Sequence, residues 1–138
     1  MVLGDADRLA ASLRPFADAV SKGVRCIMTG PVPVQALDPV EPSSTSKTTV
    51  DLLRNQLGFT GLVVSDDLDL AGTMRGRPIT EVALASFAAG VQLLLLSSGP
   101  QIDEVAAYIT AAVQGGRLPA DTLRRASAAV RQLADSLA

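Results

Sequence analysis

Apolar residues recur along this chain in two rhythms. Leu9, Leu13, Phe16 and Val20 follow three- and four-residue steps and predict a helix over residues 5–21, kinked or split at Pro15 and stopped by Gly23. Val24 to Met28, Leu62 to Ser65 and Val91 to Leu96 read instead as short strands, and the continuous aliphatic run Leu62 to Val64 is the pattern of a strand buried on both faces. Helical stretches lie between and after them. Lys47 to Leu57 turns Val50, Leu53 and Leu57 inward behind a Thr45 or Ser46 cap. Ile79 to Ala89 ends at Gly90, and Gln101 to Gln114 ends at Gly115-Gly116. A last helix starts near Pro119 and reaches about Leu137.

This alternation predicts an α/β fold of parallel βα units, with about three strands and five helices, in one domain over residues 1–138. Right-handed crossovers bring all three strand ends to one side. Thr29, Ser65-Asp66-Asp67 and Ser97-Ser98 are therefore expected on one rim. Three strands are few for a parallel sheet covered on both faces, so missing partner strands or a second copy of the chain are expected. Residues 31–46 carry Pro31, Pro33, Pro39 and Pro42 and read as a long loop, a length that often marks a binding loop. Ala71 to Pro78 reads as a second loop.

Composition narrows the function classes. Hydrophobic residues make up 48% and aromatics 3%, so the core is aliphatic. A net charge of -2 leaves no basic field for nucleic acid. No apolar run approaches the roughly 20 residues that span a bilayer, and the amino terminus lacks a signal-peptide core. The chain is expected to be soluble, and cytoplasmic by default. Cys26 is the only cysteine and reads as a small core residue. Histidine is absent, so any mechanism that needs an imidazole has to be completed from elsewhere.

Chemistry concentrates where Leu62-Val63-Val64 runs into Ser65-Asp66-Asp67-Leu68-Asp69. Carboxylates at a strand's carboxyl end sit where parallel α/β folds carry out their reactions. Three readings stay open: a nucleophile or acid/base, a magnesium or calcium site, or solvated acids capping the next turn. Asp66 comes first after the aliphatic run and is the best candidate for chemistry. Asp67 faces the other way by strand alternation and is expected to accept a structural hydrogen bond. Arg54, Arg75 and Arg77 are candidate clamps, with solvated side chains the commoner outcome. Gly72-Thr73-Met74-Arg75-Gly76 matches no phosphate-loop spacing. A phosphoacceptor module would need a further acid at an earlier strand end and a lysine at a later one, which Thr29-Gly30 and Ser97-Ser98 do not supply.

A train of motifs resembles glycoside hydrolase family 3, in particular its β-N-acetylhexosaminidase branch. It runs through Leu13-Arg14-Pro15-Phe16, Ile27-Met28-Thr29, Ala36-Leu37-Asp38 and Pro42 to the unbroken stretch Leu52 to Leu70 and the strand Gly90 to Leu95. The resemblance implies a retaining β-glycosidase, with a carbohydrate substrate, Asp66 as nucleophile, and Thr29, Ser65 and Met74 against the substrate. No cofactor and no metal enter this expectation. A (β/α)₈ barrel takes about 250 residues, and this chain looks like its last three βα units. The branch's acid/base is a histidine paired with an aspartate on an earlier loop, and Gly30-Pro31-Val32 stands where the family usually has Ala-His-Val. The resemblance therefore implies an isolated chain without its acid/base and without turnover. It further implies association with another copy or with an amino-terminal half-barrel. The alternative is a non-catalytic half-barrel that binds sugar or self-associates.

Overall fold

The computed structural model describes residues 6–97, 99 and 101–137. Three parallel strands form one sheet in the order β1 (Cys26–Met28), β2 (Leu62–Asp67), β3 (Leu93–Leu95). Among the described residues six α-helices accompany them: α1 (Ala6–Ser21), α2 (Lys47–Asp51), α3 (Ala71–Met74), α4 (Ile79–Ala89), α5 (Ile102–Gln114) and α6 (Ala120–Asp135). The α/β class and the parallel strands are as the sequence predicts. Asp5, expected to open the first helix, lies outside the described residues.

Four local expectations are corrected. α1 runs through Pro15 as one continuous helix. The helix expected over Lys47 to Leu57 leaves α-geometry at Asp51 and continues as a π-helical turn, Leu52–Gln56. Part of the expected Ala71 to Pro78 loop is the short helix α3, closed by Arg75 in the left-handed region at φ 49°. The expected strands are also longer than the observed β1 and β3.

The sheet is covered unequally. Paired residues of parallel strands point the same way, and Ile27 pairs with Val63. Both are buried with Val50, Leu53, Phe59, Ala89 and Val91 on the helix side. A second cluster joins α4 to α5 through Val82, Ala83, Val105 and Ile109, with Leu68 and Leu118. On the other face Cys26 pairs with Leu62, Met28 with Val64, and Val64 with Leu93. Here Met28 is 52% exposed and Leu93 41%. Cys26 is exposed as well, which corrects its expected place in the core: on this face the central-strand residues Leu62 and Val64 are buried, while Cys26, Met28 and Leu93 on the flanking strands are left open.

The same lack of cover marks α1. Phe16, from its apolar stripe, is 42% exposed. An apolar groove of about 500 Å³ runs between α1, β1 and the 31–46 segment. Among the described residues no helix is long and apolar enough to cross a membrane.

Candidate active site

The central strand ends in its acids. Ladder pairing along β2 passes from Val64–Leu93 to Asp67–Leu95, so β2 holds one more residue than β3 over this interval and bulges there. Strict alternation stops at the bulge, so hydrogen bonds, not strand parity, distinguish Asp66 from Asp67. The Asp66 amide donates to Ser44 Oγ at 3.1 Å, toward the segment that follows β1. Asp66 Oδ1 accepts the Asp67 amide at 2.7 Å. Asp67 Oδ1 accepts the Asp69 amide at 3.0 Å and the Ser97 amide at 3.3 Å, which ties it to the end of β3. Hydrogen bonding from Ser97, then from the Asp69 amide, holds the Asp67 carboxyl below the ordinary aspartate range. Asp67 thus accepts backbone hydrogen bonds, as its expected structural part requires. Asp66 remains half-buried at the tip.

Thr29, Ser65 and Met74 take different positions. Thr29 is 5% exposed, and its hydroxyl lies 3.0 Å from Ser44 Oγ and donates to the Val64 carbonyl at 3.1 Å. Ser65 has no exposed surface, and its Oγ accepts the Leu95 amide at 2.9 Å inside the bulge. Both hydroxyls stand behind the strand tip. Met74 is half-buried at the end of α3. Ser97 sits at the rim close to Asp67, whereas Ser98 lies outside the described residues.

The 31–46 segment is folded rather than structureless. Ser43 and Ser44 amides donate to the Val32 and Gly30 carbonyls. Asp38 accepts the Glu41 amide at 2.9 Å, the Val40 amide at 3.1 Å and the Ser46 hydroxyl at 2.8 Å. These bonds, with Glu41 first, hold its carboxyl low. Ser46 also caps α2 by accepting the Thr49 amide. Arg75 donates to the Val40 carbonyl, and Arg77 pairs with Glu41 at 3.0 Å. Both arginines therefore fasten this segment to the turn after β2. The small side chains Ser43, Ser44, Thr45 and Ser46 are all buried. Sequence reasoning found the cap but missed Ser44. The run of short hydroxyl side chains directly after Pro42 does not by itself single out Ser44, whose partner Asp66 lies 22 residues further on.

Arg54 departs from its clamp reading. It lies below the amino end of β2 and donates to the Phe59 and Gly61 carbonyls at 2.9 and 2.7 Å and to Gln92 Oε1 at 2.7 Å. Burial lowers the pKa of its guanidinium. Among the described residues no group of three or more His, Cys, Asp or Glu side chains is arranged to hold a metal ion.

Known proteins resemble this chain in sequence and fold. The family model for the glycosyl hydrolase family 3 N terminal domain matches residues 4–133. The beta-hexosaminidase of Thiobacillus denitrificans is 37% identical over 109 residues, which are 78% of this chain and 30% of that protein. The beta-hexosaminidase of Nitrosomonas eutropha is 35% identical over 88 residues, 64% of this chain and 25% of the relative. The crystal structure of the beta-N-acetylhexosaminidase from Beutenbergia cavernae superposes with a TM-score of 0.82 at 32% identity, covering 89% of this chain and 37% of that one. The chain thus spans about a quarter to a third of the length of the curated relatives it matches. With the family model matched over nearly every residue and the parallel βα frame in common, the chain belongs to glycoside hydrolase family 3.

Proposed function

We propose that this chain carries the nucleophile of a retaining β-glycosidase acting on N-acetylglucosaminides or related β-glucosides. One observation carries the reading: a half-buried carboxylate, Asp66, stands at the carboxyl tip of the central parallel strand with its amide anchored. Relatives named beta-hexosaminidase support the substrate class. Oδ1 is engaged by the Asp67 amide, so the attacking oxygen in this reading is Oδ2. It bonds to the anomeric carbon as the glycosidic C–O bond breaks, and the electron pair leaves with the departing oxygen. Water then cleaves the glycosyl ester and restores the carboxylate. Thr29 and Ser65 act here as buried supports, and Met74 is the expected residue that can still meet the sugar.

A natural leaving group needs a proton as it departs. Residues 1–138 contain no histidine. In this reading the proton comes from polypeptide outside them, and the isolated chain forms the ester without efficient turnover. Incubation with an activated 2-fluoro glycoside tests this, because its leaving group departs without protonation. Intact mass and peptide mapping should find one sugar on Asp66 and none on Asp66→Asn. No adduct on the parent chain removes the nucleophile reading.

A second reading draws on the open sheet face. Met28, Leu93 and Leu95 are exposed there, and among the described residues β1 and β3 each pair with β2 alone. A non-catalytic half-barrel that self-associates or binds sugar accounts for this surface. Sugar binding or a dimer without covalent labelling favours it.

A further inference from the structure

We propose that Ser44 is a positioning residue for Asp66, fixing the strand-tip carboxylate through its own hydroxyl. The proposal rests on the reading of Asp66 as nucleophile. Ser44 is wholly buried, 22 residues before Asp66 in the chain. Its Oγ accepts the Asp66 amide at 3.1 Å, lies 3.1 Å from the Gly30 carbonyl and 3.0 Å from Thr29 Oγ1. A hydroxyl has one proton and two lone pairs, so Ser44 can donate to Gly30 and accept from Asp66 at once, with one lone pair left for the Thr29 proton when it is not given to Val64. Ser44 donates to Gly30, and it accepts from Asp66. Thr29 completes the set, bridging to Ser44 or to the Val64 carbonyl.

The arrangement has a mechanical consequence. The amide of Asp66 lies within the bulge, where ladder pairing with β3 is out of step. Ser44 supplies a partner for that amide and links it to the end of β1. It therefore restrains the backbone torsion that aims the carboxylate. Reaction rates fall steeply when a reacting group is misplaced by about an ångström, by as much as about 100-fold. Ser43, the neighbouring buried hydroxyl, donates to the Val32 carbonyl at 3.3 Å instead and serves as the control.

The test compares Ser44→Ala and Ser43→Ala in the full 138-residue chain. The labelling rate with the activated 2-fluoro glycoside should fall at least about tenfold in Ser44→Ala and stay within about twofold in Ser43→Ala. Amide exchange followed by NMR should lose protection at Asp66 in Ser44→Ala alone. Equal labelling and unchanged Asp66 protection in Ser44→Ala overturn the proposal, as do parallel losses in both variants. If the parent chain takes no label, the nucleophile reading fails. Exchange at Asp66 then decides by itself whether Ser44 holds that residue. Should Ser44→Ala not fold, Thr29→Val removes the supporting hydroxyl and is read by the same two measurements.

Discussion

The Arg54 guanidinium and the Gln92 side-chain carbonyl, 38 residues apart in sequence, meet at 2.7 Å under the amino end of the sheet. Gln92 Oε1 also accepts the Val63 amide at 3.1 Å, so the pair closes the edge between β2 and β3. The same guanidinium holds two carbonyls and stacks 5.2 Å above the Phe59 ring. Arg54→Ala takes this donor from the Phe59 and Gly61 carbonyls and leaves Gln92 Oε1 with the Val63 amide, and should cost about 2–3 kcal/mol. Arg54→Lys should recover little, because an ammonium cannot reproduce the planar fork. Urea denaturation midpoints check both; a loss under about 0.5 kcal/mol in Arg54→Ala would show that water replaces the guanidinium.

Gly61→Ala should be among the most damaging single substitutions. A Cβ at this position would run into the Arg25 carbonyl and stand 2.7 Å from the Phe59 ring. The carbonyl cannot retreat freely, since it accepts the Leu62 amide at 2.9 Å. Overpacking of this kind costs about 1–3 kcal/mol. The urea midpoint should fall with an unchanged slope.

Much of this frame is legible in the chain. The aliphatic runs at Val63 and Leu94 mark strands, although β3 exposes Leu93 and Leu95 on one face, and glycines such as Gly90, at φ 101°, punctuate the helices. Other features depend on contacts that no local pattern encodes. The π-helical turn at Leu52–Gln56 shifts backbone bonding while leaving Leu52 and Leu53 buried, so its apolar spacing still reads as α-helix. α3 contains Gly72, whose Cβ would approach the Pro31 carbonyl at 3.1 Å; the glycine that hides this helix from propensity lets the 31–46 segment pack against it. The position of Asp66 at the strand tip was legible from the end of the aliphatic run. The hydroxyl behind it was not, because Ser44 reaches it only through tertiary folding.

Acid should weaken the fold through Asp67 and Asp38. Both carboxyls sit below their ordinary value because the folded state donates hydrogen bonds to the ionised form. A depressed pKa stabilises above the unfolded value, near 3.9, and that stability is lost as pH falls through the folded value. Urea midpoints measured from pH 7 down to pH 3 should therefore drop. Asp67→Asn and Asp38→Asn should each be less stable at pH 7 and flatter across the acid range. An equally steep acid loss in both variants would assign it to other groups.

The uncovered sheet face should drive association. Exposed apolar surface beside unpaired strand edges invites a partner. The parent chain is expected to sediment as a dimer or larger species. Met28→Lys with Leu95→Lys, both at exposed positions, should shift it toward monomer with the circular dichroism spectrum retained. A monomeric parent would mean that this surface is tolerated in water.

The extra residue in β2 gives strand length a chemical meaning of its own. Between Val64 and Asp67 the ladder advances three positions on β2 against two on β3. Removing one residue there would let the two strands run in phase, with one residue of β2 facing Leu94 in place of two. The count of backbone units between these two ladder pairs thus sets where each of the adjacent carboxylates stands.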